Sequence, residues 1–323
     1  MRKTLGQRGI RRAVISVGAS ALIGTATVIL TGCNDDVVGK PVATPTAAAP
    51  SGVLGGVTGA AQPAGAPVTR TIGKTGWFEG FEITVDKATV TPGQYGGATL
   101  VVDITYRNTA AENKALSANA YLQLGGQVDT GASFDNPTVP GKGSATGKIT
   151  TALRADQNPE QVLDSAIVVY GQATDNQAKI PLAAAGKVDS VRPRALTVAG
   201  KLVSDQTTIE ITGGTLTPSY AKNERGKYEL ALHVRIVGGA GIADGGTNIF
   251  DDYFSVKSPD GQSLVADSRS PINELLEKNQ TIDSPKNNAV FLVAAPGTGN
   301  YVLTYDTQKG DGTPAPTFAF TVS

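Results

Sequence analysis

The strongest constraint on the fold is an alternation of apolar and polar residues that the chain uses twice. Phe81, Ile83 and Val85 fall on one side and Glu82, Thr84 and Asp86 on the other, the period-two signature of a strand with one buried face. Leu100, Val102, Ile104 and Tyr106 then face inward, with Asp103, Thr105 and Arg107 outward. Ile83 to Pro92 (ITVDKATVTP) aligns without a gap on Ile209 to Pro218 (IEITGGTLTP), both ending Thr-x-Thr-Pro. Past a loop two residues longer, Leu100, Val102, Ile104, Tyr106 and Arg107 align on Tyr228, Leu230, Leu232, Val234 and Arg235. Tyr121-Leu122 against Tyr253-Phe254, and Ile167 to Tyr170 against Val302 to Tyr305, extend the match. One fold used twice is the expectation.

Further apolar runs at Tyr121 to Leu124, Ile149 to Leu153 and Ile180 to Leu182 are separated by turns such as Asn136-Pro137 and Pro140-Gly141-Lys142-Gly143. Short strands spaced by turns indicate a β-sandwich. The expected fold class is all-β: two tandem sandwich domains, residues 70–183 and 195–323, with 184–194 as linker. The 39 glycines and a lone methionine, Met1, fit strands and turns better than helices. One helix is expected in the second half. Ser270 would be its N-cap and Pro271 its first residue, with Ile272, Leu275 and Leu276 on one face and Glu274 near the positive end. It reads as an ornament over the sandwich end or as part of a binding surface.

Ahead of the sandwiches, residues 1–32 carry Arg2, Lys3, Arg8, Arg11 and Arg12, no acidic residue, and an apolar run from Ala13 to Leu30. This is the pattern of a signal peptide. Leu30, Thr31, Gly32 and Cys33 close it, and together they resemble the lipobox of bacterial lipoproteins. That resemblance implies a diacylglycerol thioether on Cys33, which becomes the first residue after cleavage, and a cell-membrane localisation with the bulk of the chain outside the cytoplasm. An uncleaved span is the competing reading, but Gly18, Gly24 and several Ser and Thr residues weaken a run close to the ~20 residues needed to cross a bilayer. Arg11-Arg12 leaves the export route open.

Cleavage changes the electrostatics. It removes five of 28 basic residues and none of 28 acidic ones, leaving 23 against 28, a net charge of −5. A mildly acidic chain is a poor partner for nucleic acid. Cys33 is the only cysteine, so no disulfide forms within the chain and stability must come from apolar cores. Between the two, residues 33–69 are rich in Ala, Gly, Pro, Thr and Val, with prolines at Pro41, Pro45, Pro50, Pro63 and Pro67. Such a segment cannot offset its ordering entropy and is expected to be an extended, disordered tether.

Gly80-Phe81-Glu82-Ile83-Thr84-Val85, Val101 to Asn108, Pro140-Gly141-Lys142-Gly143-Ser144 and Ile180-Pro181-Leu182 together resemble the immunoglobulin-like domain of actinobacterial secreted immunoprotective antigens. The resemblance covers residues 70–183 directly and 195–323 through the internal repeat. It implies an immunoglobulin-like fold and brings no catalytic residues.

The chemistry-bearing residues give little purchase for catalysis. His233 is the only histidine, reads as outward-facing beside Glu229 and Arg235, and aligns with Thr105 in the first repeat; triads and zinc sites need more. Gly73-Lys74-Thr75 lacks the leading glycine of a phosphate loop, and Gly239 to Asp244 lacks the third glycine of a dinucleotide fingerprint. Asp244, Asp251 and Asp252 lie in one loop but match no EF-hand spacing. No metal or cofactor is expected. Aromatic residues are the better clue to a ligand. Trp77, Phe78 and Tyr95 are candidates to stack on a sugar or plug a partner pocket, against a competing role in which Trp77 packs inward and seals the sandwich end. The expectation is a non-enzymatic binding or interaction module of the cell envelope with an unknown protein or glycan partner. The alternatives are a structural spacer or a carboxylate-dependent envelope hydrolase.

Overall fold

The computed structural model describes residues 65–116, 119–269, 272–309 and 312–323. The signal segment, Leu30 to Cys33 and most of the tether lie outside them. The described residues belong to one compact unit, built of two halves, each with its own apolar core.

In chain order the N-terminal half runs β1 (Val68–Phe78), β2 (Phe81–Pro92), β3 (Ala98–Asn108), β4 (Lys114–Ala115), β5 (Ala120–Leu124), β6 (Gln127–Asp129), β7 (Ser133–Asp135), β8 (Thr138–Val139), β9 (Ser144–Leu153), α1 (Pro159–Ser165), β10 (Ile167–Tyr170) and β11 (Ala178–Pro181). The C-terminal half runs β12 (Arg194–Leu196), β13 (Gly200–Ser204), β14 (Thr207–Pro218), β15 (Lys227–Gly238), β16 (Thr247–Phe250), β17 (Phe254–Lys257), β18 (Ser263–Val265), β19 (Asn273–Leu276), β20 (Thr281–Ile282), β21 (Asn288–Ala294), β22 (Gly299–Tyr305) and β23 (Thr317–Val322). Sheet β1-β2-β3-β9-β7 shares a core with sheet β11-β10-β5-β6. Sheet β12-β14-β15-β20, with β13 also on β14 and β21 on β15, does the same with β18-β17-β22-β23. The molecule is therefore an all-β sandwich fold, as the alternation predicts.

The inward residues are those the period-two reading selects. Ile83, Val85, Leu100, Val102 and Ile104 meet Leu122, Val168, Tyr170 and Ile180 in the first core. Ile209, Ile211, Leu230, Leu232 and Val234 meet Phe254, Val256, Leu303 and Tyr305 in the second. Burying a side chain of this size contributes roughly 1.5–3 kcal/mol. Both halves break the alternation at the same place. The register between β2 and β3 shifts between Val85 and Lys87, and that between β14 and β15 between Ile211 and Gly213. Each bulge adds an unpaired residue and re-aims the rest of its strand, so Ala88 and Val90 point into the core after Val85 does.

The pairing corrects the internal alignment in two places. Pro92 faces Ala98 whereas Pro218 faces Tyr228, so the second loop is four residues longer than the first, not two. Leu100 thus corresponds to Leu230, Tyr106 to Ile236, and His233 to Asp103 rather than Thr105. Ala120 faces Tyr170 as Phe254 faces Tyr305, which moves Leu122 onto Val256 rather than Phe254. Both slips are of two residues, which leaves every side chain on its expected face.

The expected helix of the second half is a strand. Asn273–Leu276 pairs with Thr247–Phe250 in antiparallel register, with Ile272 and Leu276 buried and Leu275 exposed; Ser270 and Pro271 lie outside the described residues. A spacing of four is even, so two apolar residues that share a helix face also share a strand face. Among the described residues the α-helix is α1, in the first half. Asn158 caps it by accepting from the Glu160 and Gln161 amides, and Pro159 opens it. It buries Val162 and Leu163, and Arg70 of β1 holds it through Glu160 and Asp164, both at 2.7 Å.

Candidate functional site

Two of the sequence-selected aromatics lie at the junction between the halves. β1 turns into β2 through Glu79 and Gly80, both with positive φ, 47° and 78°, the two-residue hairpin geometry that suits the twist of the strands. This turn presents Phe78 at the sandwich end. Phe78 is 2% exposed and lies 4.5 Å from the Tyr220 ring and 6.1 Å from Tyr170. Trp77 is half-buried. Its amide donates to Ser190 Oγ at 3.2 Å, its carbonyl accepts from Tyr220 Oη at 3.2 Å, and Arg192 sits 5.5 Å above its ring.

Tyr220 belongs to the β14–β15 loop, residues 219–226, which docks on this end of the N-terminal half. Asn176 clamps the loop: its Nδ2 donates to Ser219 O at 2.6 Å and Lys227 O at 2.8 Å, and its Oδ1 accepts from Gly226 N at 2.9 Å. Asp175 accepts from the Asn223 amide at 2.7 Å, and Arg225 donates to Ala173 O at 3.1 Å. Segment 184–194 is pinned beside it. Lys74 Nζ donates to the carbonyls of Pro181, Ala183 and Gly186, and Lys179 and Asp189 exchange backbone hydrogen bonds.

A charge network braces the loop from its own half. Arg269 reaches Asp267 at 2.6 Å, Glu224 at 3.1 Å and Glu229 at 3.7 Å. The hydrogen bonds from Arg269 hold the Asp267 carboxyl below the usual carboxylate range. A depressed carboxyl contributes stability that is present above the ordinary value near ~3.9 and is lost as pH falls through the folded value. Thermal midpoints measured against pH are therefore expected to fall more steeply below about pH 4 in the native chain than in Arg269→Met. Parallel curves would contradict the assignment.

Tyr95 sits at the opposite end of the N-terminal half, in the β2–β3 loop, and is 86% exposed. The structure thus does not bring Tyr95 together with Trp77 and Phe78.

A site that the sequence did not single out lies at the outer end of the C-terminal half. A cavity of about 470 Å³ is lined by Ser204, Gln206, Asn248, Tyr253, Tyr305 and Gln308, among others. That volume falls within the range of small-molecule sites, about 300–1,000 Å³. Gln206 positions one wall, accepting from Gly241 N through Oε1 at 2.9 Å and from Gly239 N through its carbonyl at 2.7 Å. Tyr305 is fully buried, packs on Phe254 at 5.1 Å and Tyr253 at 6.2 Å, and its hydroxyl has no hydrogen-bond partner. Burial pushes its phenol pKa up. Its counterpart Tyr170 is satisfied: Tyr170 Oη bonds Tyr106 Oη at 2.9 Å, which donates to Asn136 Oδ1 at 2.7 Å. The Tyr106 phenol is likewise pushed up to about 12 by burial.

The remaining candidates separate. His233 Nε2 lies 3.4 Å from Asp283 Oδ1 on the outer face of β15. Asp252 pairs with Lys309, and among the described residues no group of three or more His, Cys, Asp or Glu could hold a metal ion. No described helix is long and apolar enough to cross a membrane. Cys33 and the rest of the lipobox lie outside the described residues.

No family model and no curated protein matches the chain. Among solved structures, the crystal structure of a conserved domain protein from Bacillus anthracis is similar at 11% identity, over 79% of this chain and 90% of that one, with a TM-score of 0.20. A likeness that weak carries no argument about fold or function.

Proposed function

We propose that the chain is a lipoprotein anchored through Cys33 at the outer face of the cell membrane, and that its two immunoglobulin-like sandwiches serve the envelope as a non-enzymatic binding module. The observation that carries the reading is the placement of a polar, tyrosine-lined cavity relative to the start of the folded chain. The chain enters β1 beside the β2–β3 loop, since Val68 pairs with Val90. The junction occupies the other end of that half, and the cavity lies beyond it at the outer end of the C-terminal half. An anchor before β1 thus leaves the cavity at the far end of the folded unit. The clamped junction also favours the spacer reading, because it fixes how far the outer end stands from β1.

Cys33→Ala is expected to remove most of the protein from the membrane fraction and to leave its precursor unprocessed, as read by fractionation and mass spectrometry. An unmodified Cys33 in native membrane fractions would sink the anchoring part. Capture from envelope extracts addresses the binding part: a chain that retains nothing, while tether shortening alone gives a phenotype, is a spacer.

A further inference from the structure

Two residues that line the outer cavity, Ser204 and Thr207, stand where the N-terminal half keeps aromatic rings. The gapless match of β2 to β14 sets Phe81 against Thr207, and the hairpin pairs Phe78–Phe81 and Ser204–Thr207 set Phe78 against Ser204. The corrected β3–β15 register sets Tyr106 against Ile236. Phe78, Phe81 and Tyr106 are all buried in the first core, and their replacement by Ser204, Thr207 and Ile236 leaves Tyr305 without the hydroxyl partner that Tyr170 has. Ile242 and Ile249 return part of the missing apolar volume, and the rest is open. Buried hydroxyls without a partner are rare, because each incurs a desolvation penalty of about 1–3 kcal/mol.

The wall chemistry narrows what can enter. Asp205 is the single charged residue among the described residues that line the cavity, so nothing there answers a phosphate or carboxylate. The polar groups are neutral amides and hydroxyls, from Ser204, Gln206, Asn248 and Gln308, beside the rings of Tyr253 and Tyr305. Neutral donors and acceptors next to aromatic rings match a ring that is apolar on its faces and hydroxylated at its edge.

We propose that this cavity binds a neutral sugar residue of an envelope glycan, its ring taking the space that Phe78 fills in the N-terminal half and a ring hydroxyl partnering Tyr305 Oη. This rests on the reading of the chain as an envelope binding module and names the ligand class for it.

The test uses the full chain in a zwitterionic detergent, since glycosidic detergents would compete. It is titrated with neutral oligosaccharides ending in glucose, galactose, mannose, N-acetylglucosamine or arabinose. At least one is expected to bind. Ser204→Phe, which restores the missing ring, should abolish binding without lowering the thermal midpoint. Tyr305→Phe should weaken it about tenfold, the worth of one buried hydrogen bond, and the surface variant Asn248→Ala should also weaken it. Failure of every sugar, or binding indifferent to Ser204→Phe and Tyr305→Phe, overturns the proposal. If envelope extracts still yield a partner that Ser204→Phe retains, the sugar site falls and the binding-module reading stands; if they yield none, both fall. Self-association that Ser204→Phe removes would assign the cavity to a second copy and overturn the sugar.

Discussion

Replacing Asn176 with alanine is expected to turn one calorimetric unfolding transition into two. The Asn176 amide reaches the carbonyls of Ser219, Glu224 and Lys227 and receives the Gly226 amide; Glu224 O and Lys227 O keep a backbone donor, so the variant strands Ser219 O and Gly226 N at a half-buried junction. Each lost hydrogen bond is worth about 0.5–1.5 kcal/mol and each stranded group more where water is excluded, which puts the weakening of the junction at about 2–3 kcal/mol. For a unit of this size that is a fall of roughly 4–12 °C in the first transition. The Tyr220–Phe78 contact survives the substitution, and Tyr220→Ala should add to it. A single transition at an unchanged midpoint would show that the halves are held together by something other than this loop.

Phe254→Ala is expected to destabilise the C-terminal half strongly. Phe254 is fully buried, faces Tyr305 across the β17–β22 pair and packs against its ring at 5.1 Å. Truncating a buried phenylalanine costs about 3–5 kcal/mol through lost transfer energy and the cavity left behind. The chain provides its own reporter, because Trp77 is the only tryptophan and lies in the N-terminal half. While the junction holds, Trp77 fluorescence should report the damage to the other half, with a lower urea midpoint in Phe254→Ala. In the double variant with Asn176→Ala, the Trp77 midpoint should recover toward that of Asn176→Ala alone. A Trp77 midpoint that ignores Phe254→Ala in the intact chain would mean that the halves unfold independently from the start.

The strands were legible because burial on one face writes a period of two into residues such as Ile83, Val85 and Val102. The repeat was legible for the same reason, and even its slips stayed on the right face. The register was not: loop 219–226 is longer because it carries Tyr220 across to Phe78, and the sequence of the loop does not say what it docks on. Ile272 to Leu276 suits a helix and a strand alike, because a spacing of four fits both periods. Helix α1 had its signal in Asn158-Pro159-Glu160, but only Val162 and Leu163 marked its buried face. The cavity was invisible for a deeper reason. Ser204 and Ile236 mean nothing by themselves; they become a site only when the true pairing sets them against Phe78 and Tyr106. Trp77 and Phe78 stand out in the sequence as aromatics near a strand end, and the structure places both in the junction.

The junction between the halves joins unlike surfaces, the loop end of one sandwich and the hairpin end of the other, and contacts of that kind can in principle repeat without limit. The N-terminal sandwich has the receiving end, with Phe78 against Tyr220, but only the short 93–97 loop at its other end, while the C-terminal sandwich has the long docking loop but Ser204 where the receiving end has Phe78. Serine in place of the ring that Phe78 supplies thus does two things at once: it lines the outer cavity and leaves that end without the aromatic seat that a docking loop of this kind uses.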